Sequence, residues 1–229
     1  MIVLGVETST ARSSVALVDD GVVLAHEQHE DPRGHGAFLA PAMRRCLDVV
    51  DRVDAVAVGT GPGLYTGLRV GMATAAAFAT ARGIPVVGVG GMDALASDAS
   101  RADLTVVTTL DARRGQVFWA VHEPRDGALV RTEGPRVGTR AELDETIDRL
   151  GGGTGEGGPL AVGPLVVGEV GAVTVARPDA GATARIGARL VAAGARELLV
   201  AAALEPVYLR DADVRIGWDV RGGRRGGAA

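Results

Sequence analysis

The amino-acid sequence lacks two residue types altogether: all 24 basic side chains are arginine, so lysine is absent, and there is no asparagine. Chemistry that needs a lysine nucleophile, a Schiff base or a phosphate-loop lysine is therefore excluded within this chain. A single cysteine, Cys46, excludes an internal disulfide framework and a cysteine-rich metal site. Aromatic residues make up only 3% of the chain, so the core must be built from closely packed alanine, valine and leucine.

Basic charge is also scarce relative to acidic charge, and the formal net charge is −4. A protein that binds nucleic acid on its own normally carries a basic patch, which this composition does not favour. Arg221, Arg224 and Arg225 lie among glycines, and we interpret them as part of a solvated tail. The first residues lack the pattern of a secretory leader, and no uninterrupted apolar stretch has the length of a membrane span. We therefore expect a cytoplasmic protein that does not enter a membrane.

The rest of the composition is that of a folded globular protein, with 47% hydrophobic and 23% charged residues. Apolar runs, turn signals and helical spacing predict the order β-β-β-α-β-α-β in the first hundred residues. The predicted elements are strands at 2–6, 13–18, 22–29, 54–59 and 84–89, and helices at 35–50, 66–82 and 91–99. This order is that of half of an actin-like ATPase, in which a duplicated α/β module flanks a nucleotide cleft.

The second half repeats this order imperfectly. Its predicted elements are strands at 104–110, 116–122, 128–137, 160–167 and 172–176, helices at 140–150 and 181–203, and a glycine-rich loop at 151–159. We therefore predict an α/β, actin-like ATPase fold with two related lobes, of which the second is degenerate. Residues 1–100 form the first lobe, residues 101–218 the smaller second lobe, and residues 219–229 a disordered tail. The C-terminal helix of the second lobe is expected to pack back on the first.

A polar turn follows the first strand and is a candidate phosphate-binding site. In a working actin-like site an acid at the end of this strand holds a hydrated metal, and the next small residues offer backbone N–H groups to phosphate. Here the acid is Glu7, followed by Thr8, Ser9 and Thr10 instead of the usual glycine. The alternative is an ordinary polar turn whose hydroxyls bond to the local backbone.

We do not expect the histidines to form a metal site. His26 and His29 are three residues apart in a predicted strand, so their side chains point to opposite faces. His35 opens a helix, but position 39 is Leu39, so there is no His-x-x-x-His pair. No nucleophile elbow of the Gly-x-Ser-x-Gly type occurs either, and we predict no catalytic residue and no metal ligand in this chain.

The helix from Gly67 to Arg82 is apolar on all sides, which requires burial on several sides. A stripe of small residues recurs every four positions at Gly67, Gly71, Ala75 and Ala79, and we interpret it as a groove for another backbone. The helix at 35–50 has a second apolar patch. Burial within a two-lobe monomer is the alternative to an interface between subunits. The predicted partner-binding residues are His35, Phe38, Ala42, Arg45, Val49, Gly67, Gly71, Met72, Ala75 and Phe78.

Four motifs, in order along the chain, resemble those of the tRNA threonylcarbamoyladenosine biosynthesis proteins. They are Val-Glu-Thr-Ser at 6–9, Gly-Thr-Gly-Pro-Gly-Leu-Tyr-Thr-Gly-Leu-Arg-Val-Gly at 59–71, Leu-Asp-Ala-Arg-Arg-Gly-Gln-Val-Phe-Trp-Ala at 110–120 and Glu-Pro-Val-Tyr-Leu-Arg at 205–210. His35 with Pro41 fits a further His-x-x-x-Leu-x-Pro element. The motif residues to which we assign no role are Gly61, Pro62, Gly63, Arg69, Asp111, Arg113, Tyr208 and Arg210.

The family has a catalytic branch, TsaD, with a His-x-x-x-His metal pair, and a shorter branch, TsaB, that lacks it. The resemblance is to the shorter branch, and it implies a noncatalytic scaffold subunit that binds and activates TsaD. The complex adds threonylcarbamoyl to N6 of the adenosine beside the anticodon in tRNAs that read codons beginning with A. The resemblance also implies a TsaE-like ATPase as a third partner, a homodimer in isolation, and tRNA contact mainly through the complex. No cofactor is expected in this chain, whereas ATP and metal are expected in the partner subunits.

Two other functions stay open at this stage. The chain could be a stand-alone actin-like nucleotide hydrolase or a protease-like enzyme, which nucleotide titration and turnover would reveal. It could also be a homodimeric binding module with its own ligand, which sedimentation with and without a TsaD-like protein would distinguish.

Overall fold

The computed structural model describes residues 1–98, 103–151, 160–162, 172–174, 177–194 and 204–209. The elements of the first half are β1 (Ile2–Glu7), β2 (Arg12–Asp19), β3 (Val22–Glu30), α1 (His35–Leu47), β4 (Ala55–Gly59), α2 (Tyr65–Arg82), β5 (Val86–Val89) and α3 (Gly91–Ser97). The predicted order β-β-β-α-β-α-β is therefore confirmed. The tail predicted at 219–229 lies outside the described residues.

The first sheet has β1 at its centre and the strand order β3-β2-β1-β4-β5. Strand β2 pairs antiparallel with β1 and with β3, whereas β4 pairs parallel with β1 and with β5. The Asp-Gly signal between β2 and β3 makes a tight turn in which Asp20 and Gly21 both have positive φ, at 43° and 86°. The carboxyl ends of β1, β4 and β5 consequently meet at one edge of the sheet.

The second sheet repeats this topology. The elements of the second half are β6 (Val106–Arg113), β7 (Gln116–Arg125), β8 (Ala128–Thr139), α4 (Arg140–Arg149), β9 (Leu160–Val162), β10 (Ala172–Thr174) and α5 (Ala180–Ala192), and its five strands form this sheet. The order β8-β7-β6-β9-β10 has the same antiparallel and parallel pairings as the first sheet. The described parts of β9 and β10 comprise three residues each. This duplicated α/β topology is that of the actin-like fold.

Helices cover both faces of the first sheet. Alternate side chains of a strand point to opposite faces, and the buried apolar side chains of β1 and β4 lie on both of them. Leu4 and Val6 pack in the core formed with α1 and α2, whereas Val3 packs on the other side with residues of α5. The C-terminal helix α5 thus lies on the first sheet. Its close approach depends on glycine, since a Cβ at Gly5 would collide with the carbonyl oxygen of Ala180.

Two helices are shorter than their hydrophobic patterns predict. Helix α1 ends at Leu47 instead of residue 50, with Asp48 as its C-cap. Helix α5 ends at Ala192 instead of residue 203, and Gly194 adopts a left-handed conformation with φ of 73°. Such a glycine commonly follows a helix C-terminus, because it reaches this conformation without a Cβ clash. Residues 195–203 lie outside the described part of the chain.

Within the described ranges, no helix combines the length and the apolar composition needed to cross a membrane.

Candidate functional site

The acid of the candidate phosphate turn is enclosed by the protein. The Glu7 side chain is fully buried, and its carboxylate accepts hydrogen bonds from the Ser9 N–H at 2.8 Å and the Thr183 hydroxyl at 3.4 Å. A Cβ at Gly59 would lie only 2.1 Å from Glu7 Oε2, so the carboxylate fills the space beneath β4. Burial raises the pKa of Glu7, and the hydrogen bonds oppose that shift.

The hydroxyls of the same turn are directed mainly into the chain. Thr8 donates a hydrogen bond to the carbonyl of Gly67 at 2.8 Å, and Thr10 bonds to the backbone of Arg12. Ser9 Oγ is buried and has no hydrogen-bond partner. The described residues contain no group of three side chains suited to hold a metal ion. The acid of the turn is thus enclosed by the protein and bonded to two internal donors.

The small-residue stripe of α2, predicted to form a groove for another backbone, faces the interior of the chain. Gly67, Gly71 and Ala75 are buried within the subunit. A Cβ at Gly67 would lie 2.4 Å from the Thr8 carbonyl oxygen, and one at Gly71 would lie 2.1 Å from Thr8 Oγ1. The backbone that approaches these glycines closely is therefore the chain's own turn after β1.

Three further predicted partner-binding residues are also enclosed by the chain itself. Met72 and Ala42 belong to the core beneath α1 and α2. His35 is 3% exposed, and its Nδ1 lies 2.6 Å from Ser13 Oγ. Burial lowers the pKa of His35. These side chains hold α1 and α2 on the sheet and do not form an outer surface.

The other four predicted partner-binding residues lie along the edges of the two helices. Arg45 forms an ion pair with Glu27 at 2.8 Å. Val49 is 56% exposed, just beyond the end of α1. Phe38 and Phe78 are half-buried, the first stacked on a histidine of β3 and the second beneath Arg82.

The exposed side of the two helices, hereafter the outer face, is made of other residues that the sequence reasoning missed. They lie opposite the buried positions on the 3.6-residue helical period, which is the signal that could have identified them. The outer face comprises Ala37, Ala40, Pro41 and Arg44 of α1 with Thr66, Arg69, Ala73, Ala77 and Thr80 of α2, all exposed. Seven of these nine residues are alanine, threonine or proline, so most of the outer face is made of small side chains.

The glycine-proline-glycine turn joins the start of α2 to two other segments. A Cβ at Gly63 would collide with the carbonyl oxygen of Ser9, which itself accepts a hydrogen bond from the Leu64 N–H at 2.8 Å. Gly61 accepts one from the Gly91 N–H at 2.8 Å, and Pro62 is buried between these contacts. This motif therefore fixes where α2 begins.

The remaining motif residues lie at two separate places. In the hairpin between β6 and β7, the exposed Asp111 accepts a hydrogen bond from the Arg113 N–H at 2.7 Å. Tyr208 lies against α2, where its hydroxyl accepts a hydrogen bond from Arg69 Nε at 2.8 Å. Arg210 lies outside the described residues. The structure thus joins Arg69 and Tyr208, but it does not bring them together with Asp111.

Comparisons with known proteins identify the family. The family model described as TsaD, tRNA N6-adenosine threonylcarbamoyltransferase, matches residues 24–145. The chain is 43% identical over 151 residues to the protein ML0378 of Mycobacterium leprae, a match that spans 62% of this chain and 40% of that protein. It is 31% identical over 159 residues to the Escherichia coli tRNA threonylcarbamoyladenosine biosynthesis protein TsaB, spanning 66% of this chain and 68% of that one.

The solved structure of YeaZ from Pseudomonas aeruginosa is similar over most of its length. The TM-score is 0.74 at 26% sequence identity, covering 91% of this chain and 99% of the YeaZ chain. The likeness therefore includes both lobes.

Proposed function

Since the chain belongs to the TsaB/YeaZ-like proteins of the TsaD family, we propose that it acts in the biosynthesis of threonylcarbamoyladenosine in tRNA. Its role is that of a noncatalytic scaffold subunit that binds a TsaD-type catalytic subunit and activates it. The Glu7 carboxylate supports a binding role over an independent nucleotide-hydrolysing role, because it is buried and accepts its hydrogen bonds from within the chain.

The outer face of α1 and α2 is the observation that carries this proposal. Nine exposed residues, most of them small, form a continuous side of two adjacent helices. A stable protein interface buries about 800 Å² on each partner, and burial of apolar surface contributes about 25 cal/mol per Å². Only the part of this free energy that exceeds the cost of ordering the two surfaces appears as affinity, and alanine side chains have no rotamer freedom to lose on binding.

The scaffold acts by ordering the partner. Docking on the outer face holds the helices of the TsaD-type subunit in one position and thereby stabilises the arrangement of its catalytic cleft. A TsaE-like ATPase joins this assembly, ATP and metal bind in the partner subunits, and tRNA is held mainly through the complex. In isolation the same face allows a homodimer. The transferred threonylcarbamoyl group goes to N6 of the adenosine beside the anticodon in tRNAs that read codons beginning with A.

Reconstitution with the other pathway proteins tests the proposal. The modification of tRNA is measured with the full set, without this chain, and with an Ala73→Arg variant that places a large charge on the outer face. Ala141→Arg, on the exposed side of α4, is the matched control. We expect modification to fall without the chain and with Ala73→Arg, and to persist with Ala141→Arg.

Unchanged modification in the absence of the chain would sink the scaffold role. Turnover of ATP by the isolated chain would instead favour a stand-alone nucleotide hydrolase. Equal loss of activity in both arginine variants would place the partner contact elsewhere.

A further inference from the structure

We propose that Arg69 is a preorganised anchor for a carboxylate on the partner protein, held in position by Tyr208 from the C-terminal segment. This inference rests on the proposed function, since it takes the outer face as the docking surface. It adds the chemistry of the partner: an acidic side chain must lie opposite the start of α2.

The guanidinium of Arg69 is fixed by two tyrosines although the side chain is exposed. Its Nε donates to the Tyr208 hydroxyl at 2.8 Å, and its central carbon lies 4.0 Å from the centre of the Tyr65 ring. The two tyrosine rings stack on each other, with centres 4.9 Å apart and an angle of 28°. A stacked and hydrogen-bonded guanidinium has lost much of its rotational freedom before a partner arrives, so less entropy is lost on binding.

Tyr208 belongs to the segment 204–209, which contacts both lobes. Val207 N–H donates to the Thr60 carbonyl at 2.8 Å, next to the end of β4. Leu204 packs against the core beneath α1 and α2, whereas Leu209 packs against the core of the second lobe. The position of the Arg69 guanidinium therefore depends on a segment anchored at both ends.

The charge of Arg69 stays available for a partner. Among the described residues no hydrogen bond or ion pair engages its two Nη atoms, so that end of the fork can receive a carboxylate. Helices α1 and α2 contain no acidic residue at all, and the arginine of α1 that has an ion pair, Arg45, lies at the edge beside β3. Asp48, the C-cap of α1, is the acid nearest in sequence to these helices.

The outer face is therefore basic in a chain whose net charge is −4. A homodimer through the same face brings together two surfaces of like charge and is weakened by it, whereas an acidic partner would satisfy the arginines. Complementary charge raises association rates and discriminates against wrong partners. A surface that binds a nucleic-acid backbone usually carries a stripe of basic residues. The outer face instead has one fixed guanidinium among alanines and threonines, which favours binding of a carboxylate on a packed protein surface.

The experiment compares Arg69→Gln, Arg69→Lys and Tyr208→Phe with the native full-length chain, and uses Arg125→Gln as the control. Arg125 lies on β7, away from the outer face, and is 59% exposed. Its substitution by glutamine removes one positive charge, as Arg69→Gln does. The readouts are the dissociation constant for the TsaD-type partner at low and high salt, sedimentation of the chain alone, and retention of tRNA by the chain alone. Thermal melting verifies that each variant is folded.

Arg69→Gln is expected to weaken partner binding about tenfold at low salt and less at high salt. Tyr208→Phe keeps the ring but loses the hydroxyl, so an intermediate loss is expected. Arg69→Lys should not restore binding, because an ammonium has no fork to divide between the phenol and a carboxylate. Self-association in Arg69→Gln should stay equal or increase, since a repulsive charge is gone.

Four outcomes would overturn the anchor. Unchanged affinity in Arg69→Gln, with Ala73→Arg still disrupting binding, removes the anchor but leaves the scaffold function intact. An equal loss in Arg125→Gln shows a general effect of net charge. Loss of tRNA retention in Arg69→Gln without any change in partner affinity assigns the residue to phosphate instead. If neither Ala73→Arg nor Arg69→Gln affects partner binding, the proposed docking surface itself fails.

Discussion

Replacing Gly71 by alanine is expected to destabilise the isolated chain, because the new methyl group enters space that Thr8 occupies. A Cβ at Gly71 would lie 2.1 Å from Thr8 Oγ1 and 3.3 Å from two other atoms of that side chain. The Thr8 hydroxyl would have to move away, and its buried hydrogen bond of 2.8 Å to the Gly67 carbonyl would break.

The magnitude follows from three terms. Overpacking a buried site costs about 2 kcal/mol, and leaving buried polar groups without partners costs about 2 kcal/mol more. Alanine returns about 1 kcal/mol through its higher helix propensity, so the net loss is about 3 kcal/mol. A domain of this size loses about 2–4 °C of melting temperature per kcal/mol, which predicts a decrease of roughly 6–12 °C.

Thermal unfolding followed by circular dichroism measures this loss, with Gly36→Ala as the matched control. Gly36 is an exposed helical glycine with no atom near its missing Cβ, so alanine there should be neutral or stabilise the chain by up to about 1 kcal/mol. In a double-mutant cycle, Thr8→Ala should remove the colliding atom and reduce the cost of Gly71→Ala by about 1 kcal/mol or more.

A different result would refute the inward orientation of the stripe. If Gly71→Ala left the melting temperature unchanged but abolished binding of a TsaD-type partner, Gly71 would line an intersubunit groove. The two orientations therefore predict effects on different measurements.

Other predictions follow from single groups. Burial raises the pKa of Cys46 to about 11, so its thiol should react with an aromatic disulfide reagent at pH 8 much more slowly in the folded chain than in denaturant. A hydrogen bond to Asp179 raises the pKa of His26 above 6.5. This pair should therefore stabilise the fold below pH 6.5, and its contribution should be lost as the pH rises through the folded-state pKa. His26→Gln should lower the urea midpoint at pH 5.5 more than at pH 9, and equal losses at the two pH values would refute the linkage. Thr139 caps α4 and forms a reciprocal box with Glu142, so Thr139→Ala should cost about 1 kcal/mol in chemical unfolding, whereas an unchanged midpoint would count against the cap.

The element order could be predicted from the sequence because each element carries its own local signal. Strands β1 and β2 are short apolar runs, and the Asp20-Gly21 turn between β2 and β3 has the chemistry that a tight hairpin requires. The ends of the helices were predicted less accurately than their order. Val49 and Val50 continue the apolar pattern beyond α1, although the helix ends at Leu47.

The candidate surface could be predicted only in part. The apolar composition of α1 and α2 predicts that they are buried on several sides, but a helix that is apolar on every side does not reveal which side the sheet will cover. Thr8 and Gly71 are far apart in sequence, and only their contact in the fold shows that the glycine stripe is used inside the subunit.

By itself, the sequence determined the type and order of the elements, the duplicated plan and the chemistries that a chain without lysine cannot perform. Those properties depend on neighbouring residues and on composition, which are fixed before the chain folds. Only the tertiary structure decided that the glycine stripe of α2 is buried, that Glu7 is enclosed and that Tyr208 holds Arg69 across 139 positions of sequence. These features depend on which surfaces pack together, because burial is set by remote segments and not by the local pattern.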